Sequence, residues 1–137
     1  MPQVRHRVVI DTNLWISFLL SKTLSKMDPL FVDDRLILLF SQELLDEFVE
    51  VAQRPKFRKY FSDADLQELL IKIRIKAEFI VVTSSVNVCR DPKDNFLLSL
   101  AKDGEATHLI TGDKDLLVLE HLGTAKILTV ADYLDNY

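Results

Sequence analysis

Cysteine is almost missing from this chain of 137 residues: Cys89 stands alone. It cannot staple the fold internally and reads as a small apolar residue in a reducing compartment, so the expected setting is cytoplasmic. Glycine (3) and proline (4) are also scarce, which excludes collagen-like sequence, disorder and loop-rich mini-proteins. A broad basic surface is lacking too: 17 Lys and Arg face 21 Asp and Glu, for a net charge of −4. That balance is unlike a protein that coats duplex DNA, so any contact with nucleic acid must be local. The opening segment MPQVRHRVVID has an apolar run too short for a signal peptide or a membrane span. Nothing in it predicts a membrane partner.

What is present is a large apolar fraction, 48%, spread in short runs. A chain of this length supports one domain, 1–137, around one core. Val8 to Ile10 reads as a buried strand, DTN as a turn, and Leu14 to Leu20 as helix. Leu36 to Phe40 repeats the strand pattern, with Ser41 as N-cap of a helix running to about Arg54, where Pro55 stops it. KFRKYF then reads as a loop. Ser62 and Asp65 form a capping box ahead of Leu66, Leu69, Leu70, Ile73 and Ala77 at helical spacing, which predicts a helix over about 63–78. Phe79 to Val82 reads as strand, Pro92 to Lys102 as helix and His108 to Thr111 as strand. A short helix near Leu116, a strand over Lys126 to Thr129 and a helical turn at Ala131 to Leu134 follow. Alternation of this kind specifies a parallel sheet with helices on both faces.

In such a sheet the functional crevice lies beyond the carboxyl ends of the strands. Asp11 and Asp113 each follow a strand there; taken singly, each also reads as a turn or N-cap aspartate. Asp94 is in line with Leu97, Leu98 and Ala101, the buried stripe of its helix, so its carboxylate faces inward. A capping arrangement explains Asp91 as N-cap, with Pro92 at the first helical position, better than it explains Asp94. On the helix after Ser41, Leu44, Leu45, Phe48, Val51 and Ala52 form the apolar stripe. Glu47 borders it, and periodicity does not choose Glu47 over Glu43 or Glu50.

Carboxylates gathered in one crevice repel, so some must protonate unless a cation binds among them. An all-oxygen set suits Mg²⁺ or Mn²⁺. Zinc is disfavoured, since His6, His108 and His121 lack ligand spacing and Cys89 is alone. No Ser/His/Asp or Cys/His set stands out, and GxxxxGK[ST] does not occur. Two basic clusters, Arg54/Lys56/Arg58/Lys59 and Lys72/Arg74/Lys76, are candidate RNA contacts, the second reading also as the solvated face of a helix.

Four motifs in order, VVIDTN, SQELLDEFVEVAQRPKF, DPKDNFLLSLA and LITGDKDLL, resemble those of PIN-domain nucleases, and among them the VapC-like toxins of prokaryotes. The resemblance covers about Val8 to Val130. It implies a PIN-like three-layer α/β/α sandwich with a central parallel sheet, and a quartet of acids binding one or two Mg²⁺ or Mn²⁺ ions. It also implies cleavage of RNA, an antitoxin partner and a homodimer. Carried over by motif, the quartet is Asp11, Glu47, Asp94 and Asp113, which selects Glu47 where periodicity did not. Asp115, the second acid of GDKD, then supports the site, and Thr12, Asn13 and Thr111 are positions that hydrogen-bond the acids or the substrate.

Two other classes compete. An aspartyl-nucleophile phosphatase would use Asp11, but the acid expected two residues later is Asn13. A non-catalytic binding module would hold a protein partner through exposed aromatics, with Trp15, Phe18, Phe57, Tyr60 and Phe61 as candidates, although aromatics at these spacings are more often core than interface.

Overall fold

The computed structural model describes residues 5–21, 36–87 and 94–136. Cys89, Asp91 and Pro92 lie outside them, and with them the capping arrangement proposed for the start of that helix. Six strands form one sheet: β1 (His6–Ile10), β2 (Leu36–Phe40), β3 (Ala77–Phe79), β4 (His108–Ile110), β5 (His121–Leu122) and β6 (Ala125–Leu128). Their order is β3-β2-β1-β4-β6-β5. All neighbours run parallel except β5 against β6. The described helices are α1 (Thr12–Ser21), α2 (Gln42–Ala52), α3 (Pro55–Arg58), α4 (Asp63–Lys76), α5 (Asn95–Asp103), α6 (Lys114–Leu117) and α7 (Val130–Asn136).

This is the α/β fold expected from the alternation, with a mostly parallel central sheet. Its inner strands are apolar without alternation because helices cover both faces. Val8, Val9, Ile10, Leu38, Leu39, Phe40, Leu109 and Ile110 are all fully or almost fully buried. Helix α5 lies on β1 and β2 and against α2. Its exit is closely fitted: a Cβ on Gly104 would stand 2.9 Å from Leu39 Cδ1 and 3.0 Å from the Leu100 carbonyl. Space, not backbone conformation, demands glycine there.

Local signals explain most boundaries. Ser41 Oγ accepts from Leu44 N at 3.1 Å and starts α2. Ser62 and Asp65 complete the capping box of α4. Several expectations are corrected. The third strand is Ala77–Phe79 rather than Phe79 to Val82, because it joins β2 through Leu38↔Ala77 and Phe40↔Phe79, so α4 ends at Lys76. The KFRKYF segment is partly helical, since Pro55 occupies the first turn of α3, where a missing N–H costs nothing. For Trp15, Phe18 and Phe61 the core reading holds rather than the competing surface one: they are core residues at 0%, 7% and 7% exposure. Phe57 is half-buried and only Tyr60 is exposed. The aromatic surface that a binding module would use is therefore largely interior. Among the described residues, no helix is long and apolar enough to cross a membrane.

Candidate active site

The sheet register builds the site. Ile10 pairs with Ile110 and Ile110 with Leu128, so the residues just beyond, Asp11 and Thr111, leave the sheet side by side. Asp11 N donates to the Ile110 carbonyl at 3.0 Å, which extends the ladder by one rung. The indole of Trp15 donates to the Ile10 carbonyl at 3.1 Å, pinning the first turn of α1 to the end of β1. Sequence reasoning carried no signal for the partner of this N–H.

Thr111, fully buried, sits between two acids. Its hydroxyl donates to Asp11 Oδ2 at 2.7 Å and accepts from the backbone N–H of Asp113 at 3.0 Å. Asp113 uses Oδ1 to accept from Asp115 N at 2.9 Å and so caps α6. Its other oxygen accepts no hydrogen bond from the described residues. Asp11 also accepts from Asn13 N at 3.3 Å. The N-cap reading of both acids is thus realised in part, and each is also held at the carboxyl edge of the sheet.

Thr12, on the first turn of α1, donates its hydroxyl to Glu47 Oε2 at 2.6 Å. That contact brings the half-buried Glu47 of α2 beside the residue following Asp11. The neighbouring acids on α2 are placed otherwise. Glu43 is exposed, and Glu50 pairs with Arg54 at 3.1 Å on the outer surface. Asp94 immediately precedes α5, and Leu97, Leu98 and Ala101 beyond it are buried. The far end of α5 meets the start of β1, where Arg7 Nε donates to the Gly104 carbonyl at 2.8 Å. Helix and strand have similar lengths, so the start of α5 and Asp94 fall toward the edge that carries Asp11.

Burial pushes the Asp11 carboxyl above the usual aspartate range, and the charge of Asp113 adds to that, against the opposing hydrogen bonds from Thr111 and Asn13. A bound cation would relieve both the burial cost and the repulsion. The donors described at this edge, the carboxylates of Asp11 and Asp113 and the hydroxyls of Thr12 and Thr111, fit a hard divalent ion. Among the described residues, no three acids, histidines or cysteines stand close enough to form a ready-made metal cage. The structure brings Asp11 and Asp113 together through Thr111 and sets Glu47 beside Thr12, while Asp94 stands at the N-cap position of α5.

A protein-family model, PIN domain, matches residues 7–115. The chain belongs to the PIN domain family. It is also similar to an uncharacterized protein of Methanocaldococcus jannaschii, MJ1680, at 32% identity over 122 residues, covering 87% of this chain and 78% of that protein. PIN domains are typically nucleases and generally use divalent metals, so nuclease-type hydrolysis is the general activity that membership carries.

Proposed function

We propose that this PIN domain is a cytoplasmic, metal-dependent endoribonuclease, and that it acts as the toxin of a toxin–antitoxin pair, as a homodimer with an antitoxin protein. The observation that carries the reading is the Thr111 hydroxyl between Asp11 and Asp113. It holds a buried carboxylate beside a second acid at the edge of a sheet where ligands bind.

Asp11 and Asp113, with Glu47 and Asp94, would hold Mg²⁺ or Mn²⁺. When bound, such an ion supplies positive charge against the phosphate and acidity for the attacking water. The chain's own part is to fix its acids before substrate arrives. Thr111 orients Asp11, Thr12 orients Glu47, and the N–H of Asp115 orients Asp113. Asn13, exposed at the start of α1, is free to meet a ribose or phosphate. Hydrogen bonds to Asp11 favour its charged form, the form a cation needs.

The test uses the full chain with single-stranded RNA and DNA of one sequence. RNA cleavage should require Mn²⁺ or Mg²⁺ and stop with chelator. Asp11→Asn and Asp94→Asn should each lose about 10²–10³-fold or more, the scale of losing one key electrostatic group, with circular dichroism unchanged. Chelator-resistant cleavage, undiminished in these variants, would sink the mechanism. Induced expression should arrest growth and Asp11→Asn should not; arrest by both would remove the toxin role.

A further inference from the structure

We propose that the segment around α3, residues Lys56 to Phe61, is an anchoring platform for single-stranded RNA, separate from the acidic edge; this rests on the ribonuclease reading above. Six consecutive residues, KFRKYF, sort into two sets. Phe57 packs against the core and Phe61 lies in it, which fixes the segment. Tyr60 is left 57% exposed, with Lys56 and Lys59 exposed beside it.

The cations of this cluster sort in the same way. Arg54 is neutralised by Glu50 at 3.1 Å and Arg58 by Asp63 at 2.6 Å. Lys56 and Lys59 have no carboxylate partner among the described residues; their ammonium groups lie 5.0 Å and 5.3 Å from the ring centres of Phe57 and Tyr60. Two unneutralised ammonium groups and an exposed ring within one short segment match what a single strand presents, phosphates along the backbone and a base with a free face. Base stacking and backbone charge are the two sequence-tolerant contributions to such binding. On a chain of net charge −4, a local platform of this kind offsets the repulsion that a polyanion meets. The other basic cluster, Lys72/Arg74/Lys76, lacks the interleaved aromatics. It also divides its charge, Lys72 pairing with Glu68 at 3.8 Å. Glu47 and Lys56 are nine residues apart along the chain, α2 ending at Ala52 and α3 starting at Pro55, so the platform follows directly on the helix that carries Glu47.

The experiment measures binding of a fluorescent single-stranded RNA 20-mer to the full chain by anisotropy, in chelator so that nothing is cleaved. Lys56→Glu/Lys59→Glu should weaken binding and reduce the slope of log K against log salt by about 1.4, at roughly 0.7 per phosphate on a single strand. Tyr60→Ala should weaken it about 5-fold or more, and Tyr60→Phe should restore it. Lys76→Glu is the control and should bind as the unaltered chain does. Equal affinities and slopes across all four variants would overturn the platform. So would an unaltered chain that binds an acidic peptide and not RNA through these residues. RNA binding that depends on Lys56, Lys59 and Tyr60 in a chain that cleaves no RNA would sustain the platform and sink the ribonuclease reading alone.

Discussion

The two central strands, β1 and β4, carry buried ionisable groups at both ends and treat them in opposite ways. At their amino ends, His6 and His108 stack with ring centres 4.6 Å apart, beneath Tyr133 of α7, whose hydroxyl lies 3.0 Å from His6 Nδ1. Burial pushes His108 down to about 4, helped by the charges of His6 and Lys126, so it stays neutral. At their carboxyl ends, Asp11 and Asp113 lie around Thr111, and burial raises Asp11. One end removes its charge and closes with aromatic packing. The other keeps acids together, at a cost that a cation would offset. The same pairing of β1 with β4 therefore packs aromatic rings at one end and gathers acids at the other.

The histidine end sets the largest expected effect. His108 titrates near 4 when folded and near 6.5 when unfolded, so the unfolded chain binds the extra proton between those values. Stability should be full above pH 6.5 and fall by up to about 3 kcal/mol as pH drops toward 4, at 1.36 kcal/mol per pH unit. Denaturant midpoints across that range check it. In His108→Gln, this part of the slope should vanish; an unchanged slope would mean that the ring is not kept neutral by its surroundings.

At the acidic end, Thr111→Val removes the hydroxyl between the two acids. Divalent-ion affinity should fall about 10–100-fold, as for other groups that orient metal ligands. The acid limb of the pH–rate profile should move to higher pH, since the Thr111 hydrogen bond lowers Asp11. Metal titration and pH–rate curves read both, and a variant with wild-type values would break the contrast between the two ends. The smallest effect belongs to Tyr133→Phe. Loss of its hydroxyl from His6 should cost about 1 kcal/mol, seen as a lower melting temperature with metal affinity unaltered.

Much of this was legible in sequence for a physical reason. Leu36 to Phe40 is a buried parallel strand with no alternation to misread, and Ser62 with Asp65 announces its helix through bonds only three residues apart. Asp11 and Asp113 follow from the strands they end. Periodicity left Glu47 undecided because what distinguishes it from Glu43 and Glu50 is a hydroxyl 35 residues away, on Thr12. The two-residue strand β5 was invisible, since its pairing with β6 leaves too short a pattern. Trp15 could be offered as a surface candidate beside its core reading because α1 is apolar around most of its circumference: Trp15, Ile16, Phe18 and Leu19 are all buried, so sequence alone marks no outer face.

The central claim is that the acidic end of β1 and β4 is a cation site. Its most direct measurement is calorimetric titration of Mn²⁺ into the full chain and into Asp11→Asn and Asp113→Asn at neutral pH. The account predicts saturable binding to the unaltered chain that each substitution abolishes or weakens by about 10-fold or more, the scale on which even groups that orient metal ligands act. Equal Mn²⁺ binding by all three proteins, or none by the unaltered chain, would contradict it.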